Sequence, residues 1–181
     1  PRDLDAVVVG WESRLLGHAY YLSLARGLGA GALELWHACY FSFYVFLLLP
    51  ALVAYGRWPE RIRPYVFGYA FTFLAHFAAG VVFPASGPAA LRPEIIPRGY
   101  VVIPLMETIH TLGSRGGLAF PSTHVAVSLV AAAHAGRWFP RWRSLLWAWF
   151  ALIAASTVVC TYHYVLDVGA GIVTGTMCLF A

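Results

Sequence analysis

Apolar residues along this chain fall into long blocks rather than into the short alternation of strands. The blocks run from Gly31 to Tyr55, Tyr65 to Phe83, Ser122 to Trp138, Ser144 to Tyr162, and His163 to the end. Each is close to the roughly 20 residues that one helical bilayer crossing needs. The positions between the blocks are polar or helix-breaking. Gly56–Pro64 carries Arg57, Arg61 and Arg63, and a second short turn carries Arg137, Arg141 and Arg143. Between the second and third blocks lies a long connection, Pro84–Pro121, holding Pro84, Pro88, Pro93, Pro97 and Pro104. Connections of that length are usually functional, and Ile103–Leu112 inside it reads as a short surface helix. Residues 1–30 mix Asp3, Asp5, Glu12, Arg14 and Arg26 with apolar residues. That mixture suits an amphipathic segment lying at the membrane interface rather than a span.

The expected fold is therefore all-α: a polytopic transmembrane helical bundle of about five spans with an interfacial N-terminal segment. It forms one membrane-embedded domain over residues 1–181, with 84–121 as its active-site loop. Composition agrees. The chain is 60% hydrophobic and only 11% charged, against about 25% charged in an average soluble domain. The formal net charge of +4 comes entirely from Arg among the basic residues. These arginines cluster in short turns between apolar blocks, which points to membrane topology and not to nucleic-acid binding. Cys39, Cys160 and Cys178 all lie inside apolar stretches, with neither metal-ligand nor disulfide spacing. The chain starts at Pro1 and stops inside an apolar run, so it reads as a piece of a longer one.

Counting crossings puts both Arg turns on one side, and short Arg-rich loops face the cytoplasm. The 84–121 loop, the start of the third block and the Tyr162–His163 junction then share the extracytoplasmic side. His124, His163 and Asp167 are thereby expected together. Ionisable groups at membrane depth are functional candidates by default. His163 and Asp167 stand four apart and share a helix face. A carboxylate there holds one imidazole nitrogen as N–H and leaves the other free to act as nucleophile or base. A pair of packing polar residues would look the same. The stretch Phe120-Pro121-Ser122-Thr123-His124 reads as a capped helix start, with Pro and Ser where starts favour them. A helix N-terminus offers free N–H groups to a phosphate. Arg115, beside Gly116 and Gly117, adds a guanidinium nearby. Alone, each feature has a bland explanation. In combination they suit phosphoryl transfer without a metal or other cofactor: one His attacks phosphorus, the other protonates the leaving oxygen, and Asp orients the nucleophile.

Over residues 84–175 the chain resembles the type 2 phosphatidic acid phosphatase superfamily of membrane lipid phosphatases and phosphotransferases. Pro121-Ser122-Thr123-His124 follows that family's P-S-G-H motif with Thr for Gly. Ser156, His163 and Asp167 follow its S-R-x5-H-x3-D motif, with Thr157 where the Arg belongs. Arg92-Pro93 follows the end of K-x6-R-P, with Ala85 in place of the Lys. The resemblance implies His163 as nucleophile, His124 as general acid and Asp167 as orienter. It also implies phosphate contacts from Ser122 and Arg92, with Thr123 beside Ser122 a further phosphate-binding candidate, and a six-span architecture in which one span lies before Pro1 or is formed differently here. The local wording is closest to the inositol phosphorylceramide synthase-like branch, which passes a phospho-headgroup from one lipid to another alcohol.

Two missing motif cations favour a donor of lower charge, with Arg115 or Arg98 as replacements. Glu107 and His110, three apart on the surface helix, are possible headgroup contacts. Glu34 and His37 form a similar pair, whereas His76 and His134 read as packing residues. The expected function is a lipid phosphotransferase working through phosphohistidine, with a membrane phospholipid or polyprenyl phosphate as donor and an alcohol or polyol as acceptor. The alternative is a lipid phosphate phosphatase with water as acceptor. A non-enzymatic transporter or scaffold is a weaker third reading.

Overall fold

The computed structural model describes residues 4–113 and 117–180. These residues form nine α-helices. They are α1 (Asp5–Leu16), α2 (Tyr20–Arg26), α3 (Ala30–Arg57), α4 (Ile62–Val82), α5 (Arg92–Ile95), α6 (Val102–Gly113), α7 (Thr123–Trp138), α8 (Arg143–Val159) and α9 (Val165–Cys178). The described residues form no strand, only an isolated parallel bridge between Ala85 and Leu118. That bridge, with Ala119 N–H donating to the Ala85 carbonyl at 2.8 Å, closes the base of the long connection.

Five apolar helices stand where the blocks predict them, but they are not equivalent. Three segments, Ala30–Arg57, Pro59–Val82 and Pro140–Val159, are long and apolar enough to cross a membrane. Helix α7 has 16 residues and α9 has 14. At 1.5 Å per residue these rise only about 24 and 21 Å, short of a hydrocarbon core of roughly 30 Å. Helix α7 is also buried along most of its length, from Val125 to Trp138. It packs against α3, α4, α8 and α9, so its apolar residues meet protein rather than lipid. Three of the five apolar helices thus meet the length and hydropathy of a span on their own, and α7 is the protein-buried core around which they gather. Sequence blocks cannot separate a lipid-facing helix from a protein-buried one, because both are apolar all round.

The α7–α9 contact is set by small residues. A Cβ on Gly171 would lie 2.6 Å from the Ser122 carbonyl oxygen, and one on Gly175 would lie 2.8 Å from the Ala126 Cα. Glycines four apart let two backbones touch. The close approach is fixed further where Ser122 N–H donates to the Asp167 carbonyl at 3.0 Å. The starts of α7 and α9 are therefore locked side by side.

The N-terminal region is two short helices, not a single segment. Helix α1 packs on α9 and α2 packs on α8. Leu4 N–H donates to the Pro84 carbonyl at 2.7 Å, and Asp5 accepts from Gly87 N–H at 2.9 Å. The surface helix expected at 103–112 is α6. It is held against α3 by Glu34, whose carboxylate accepts the Val101 and Val102 N–H groups at 3.0 and 2.7 Å and also that of Tyr100. A carboxylate at a helix N-terminus satisfies donors that have no partner within the helix.

Candidate active site

Helix α8 ends at Val159, and the chain turns through Cys160–Tyr164 before α9 begins. Thr161 adopts a left-handed φ of 53°, which a β-branched residue rarely takes up. The turn is anchored by the Thr157 carbonyl, which accepts from Tyr162 N–H at 2.9 Å and His163 N–H at 3.0 Å. His163 consequently sits just before α9 and not on it. The i,i+4 contact with Asp167 forms all the same, for a different reason. Asp167 lies in the first turn of α9 and folds back over the helix start, where its Oδ2 accepts from Tyr164 N–H at 2.9 Å. The same oxygen stands 3.2 Å from His163 Nδ1. Both side chains are buried, Asp167 completely. Holding Nδ1 as the N–H nitrogen leaves Nε2 of His163 with its lone pair.

His124 enters from α7, whose start is capped by Ser122: its hydroxyl accepts from Val125 N–H at 3.4 Å. The rings of His124 and His163 lie 5.9 Å apart, centroid to centroid. Nε2 of His124 meets the hydroxyl of Tyr40 at 3.0 Å, and Phe43 packs on the ring at 4.6 Å. The three residues expected to converge do so. Ser122 is fully buried, so its hydroxyl serves the helix cap, while Thr123 is the first residue of α7.

The charged half of the site is organised differently. Arg92 is only 3% exposed. Its guanidinium donates to the Cys160 carbonyl and to Glu107, lies 3.3 Å from His37 Nε2, and sits over the Tyr162 ring at 3.7 Å. The expected phosphate contact is thus paired with the carboxylate expected to contact a headgroup. His110 stacks on the same Tyr162 ring at 4.2 Å. Burial first, then the Arg92 charge, pushes its pKa down to about 4. Arg98 is exposed, and Arg115 lies outside the described residues. At the two motif positions that lack a cation, Ala85 is fully buried and the Thr157 hydroxyl donates to the Ala154 carbonyl of its own helix at 2.7 Å. Among the described residues no three His, Cys, Asp or Glu side chains converge as a metal-ligand group.

His76 bonds the Thr72 carbonyl and the Thr174 hydroxyl, both at 2.8 Å, and His134 packs against Tyr65 and Trp138. Both match the packing expectation. The three cysteines are free. Sequence reasoning missed Tyr40, Tyr162 and Glu12. Tyr40 had a signal, since Glu34, His37 and Tyr40 recur every three residues along one face of α3. Glu12 is only 2% exposed, and its Oε2 accepts from Leu166 N–H at 3.2 Å. Nothing in residues 1–30 marks it out from the other charged groups there.

A family model described as the PAP2 superfamily matches residues 10–181. The match is to the superfamily as a whole, coarser than the branch suggested by the local wording. No curated protein sequence matches the chain. Among solved structures, the fold is similar to the crystal structure of Aquifex aeolicus LpxE. The two share 16% sequence identity, with 88% of this chain and 90% of that one covered and a TM-score of 0.58.

Proposed function

We propose a reaction from one premise: the chain belongs to the PAP2 superfamily. It cleaves a phosphate ester of a membrane lipid through a phosphohistidine. Nε2 of His163 attacks phosphorus, forming the N–P bond as the P–O bond to the leaving group breaks. His124 gives its proton to the departing oxygen. In the second half, His124 takes the proton from an acceptor hydroxyl, which attacks phosphorus and releases His163. Asp167 keeps the imidazole of His163 oriented and stabilises it while it carries extra charge. The free N–H groups at the start of α7 meet the phosphoryl oxygens. The observation that carries this reading is the His163–Asp167 contact at 3.2 Å beside His124.

A finer point follows from charge. Ala85 and Thr157 bring no cation, and Arg92 is already neutralised by Glu107. A site whose described residues offer so little free positive charge suits a phosphodiester monoanion better than a monoester dianion. That favours transfer of a phospho-headgroup to an alcohol. Hydrolysis is the second reading, and the superfamily's phosphatase character favours it. We place the site on the extracytoplasmic face, because Arg57, Arg61, Arg63, Arg137, Arg141 and Arg143 lie at the opposite helix ends.

The test uses purified protein in detergent with EDTA present. Phosphate-labelled phosphatidate, a prenyl diphosphate and phosphatidylinositol are offered with and without ceramide or inositol, against a His163→Ala control. Label on the protein that is acid-labile and lost in His163→Ala is expected, followed by label in a new lipid. Label in free phosphate alone would replace transfer by hydrolysis. Label on neither protein nor product would overturn the enzyme reading, and chelator-sensitive turnover would overturn the metal-free mechanism.

A further inference from the structure

Two carboxylates, not one, reach the start of α9. Asp167 uses Oδ2 for Tyr164 N–H and His163, while its Oδ1 is buried with no hydrogen-bond partner among the described residues. Glu12 arrives from α1 and uses Oε2 for Leu166 N–H, while its Oε1 is likewise buried with no partner among the described residues. Two unsatisfied buried acceptor oxygens, one on each acid, at the same helix turn are costly if both groups are ionised. A like charge close by disfavours the ionised form of a carboxyl, which favours a proton held between the two. Oδ2 of Asp167 faces His163 and a backbone N–H, whereas Oε2 of Glu12 faces the Leu166 N–H. Among the described residues no Arg pairs with Glu12. The titratable groups near it are Asp167 on α9, His163 behind Asp167, Tyr21 on α2, and Asp5 farther along α1. The adjoining side chains Val8, Tyr21, Ala85, Val158 and Tyr164 form an apolar cluster.

We propose that Glu12 is a positioning residue that shares one proton with Asp167, so that the pair carries a single negative charge aimed at His163. The proton rests on Glu12 and is donated towards the orphaned Oδ1 of Asp167. This satisfies both stranded oxygens with one hydrogen bond. It keeps Oδ2 free for His163 Nδ1 and holds Asp167 against rotation. Burial raises the Glu12 pKa above its ordinary 4.5, against the opposing pull of the Leu166 and Val165 N–H groups, and the charge of Asp167 adds a smaller push in the same direction as burial, in the sense the shared proton requires. The sign is definite. A raised carboxyl pKa contributes stability that is present below pH 4.5 and is lost as pH climbs through the folded-state value. Alkali therefore unpairs the carboxyls and disturbs His163. The catalytic consequence rests on the function proposed above; the shared proton does not.

Two measurements test it separately. Infrared spectra of the purified protein at neutral pH should show the C=O stretch of a protonated carboxyl in the wild type and in His163→Ala. The band should be lost in Glu12→Gln and should titrate away at lower pH in Asp167→Asn. In the activity arm, Glu12→Leu should lower kcat about tenfold, the equivalent of one pKa unit of lost interaction, with KM little changed. Glu12→Gln, a neutral side chain that still donates, should restore most of that loss and move the alkaline limb of the pH profile upward. A carboxyl band that survives in Glu12→Gln overturns the shared proton. Equal losses in Glu12→Leu and Glu12→Gln, or an alkaline limb unmoved in Glu12→Gln, overturn the positioning role. A wild type that forms no phosphohistidine overturns the proposed function and leaves the infrared result to decide the proton.

Discussion

The two halves of the candidate site are built on opposite plans. His163, Asp167 and His124 are held by backbone: a capped helix start, a left-handed turn, and two helices brought together at Gly171 and Gly175. Arg92, Glu107, His37, His110 and Tyr162 are held by one another, through an ion pair, ring stacking and contacts to a single carbonyl. The first half is rigid and leaves reactive atoms unspent. The second half has spent its charge internally. Pre-organised groups suit the bond-making step. An internally satisfied ion pair suits selection, since an anionic ligand must compete with Glu107 for Arg92.

The largest effect expected from this contrast is at His163. His163→Ala should cut turnover about a thousandfold or more and abolish the labelled intermediate, as loss of a covalent nucleophile does; intact labelling would dissolve the distinction between the halves. Next comes the scaffold beneath them. Gly175→Val places a branched side chain where even a Cβ stands 2.8 Å from Ala126, and overpacking of this kind costs about 1–3 kcal/mol. We expect a lower Tm in detergent together with a roughly tenfold or larger loss of kcat, as α9 is pushed off α7. A drop in Tm without loss of kcat would show that the histidines do not depend on that contact.

The charged half should respond with opposite signs. Glu107→Gln frees Arg92 and should strengthen inhibition by inorganic phosphate several-fold, as removing one competing charge near a partly buried cation does. Arg92→Gln should weaken it and also lower Tm, because three partners lose their donor. Equal changes in both variants would mean that Arg92 never meets phosphate. Smaller still is Tyr40→Phe, which removes the hydroxyl 3.0 Å from His124. The loss should be about 1 kcal/mol, or some fivefold in kcat, with KM steady. The smallest effect belongs to His110. Its folded pKa of about 4 lies below the ordinary 6.5, so its contribution to stability is present above pH 6.5 and lost as pH falls towards 4. Tm in detergent should decline over that window, and decline less in His110→Gln.

Much of the rigid half is legible in the chain itself, because its signals are local. Pro121-Ser122 announces a capped helix start, and His163 and Asp167 announce themselves by spacing. Even so, their contact arises from Asp167 folding over the α9 start, not from a shared helix face. The charged half is poorly legible. Arg92 and Glu107 are fifteen positions apart in an irregular, proline-rich connection with no period to relate them. Glu12 stands still farther away, and its neighbour Leu166 is reached only by packing α1 on α9.

What the sequence alone determined is the all-α membrane architecture, the bounds of the long helices and the grouping of His124, His163 and Asp167 at one end of the bundle. These follow from hydropathy, crossing count and local capping, all of which act over a few residues or one helix length. The tertiary structure alone decided that α7 is a buried core helix, that Arg92 is neutralised by Glu107, and that a second carboxylate reaches the α9 start. Each depends on which surfaces meet across a long separation in the chain. An apolar residue or a carboxylate looks the same in sequence whether lipid, water or another helix lies against it.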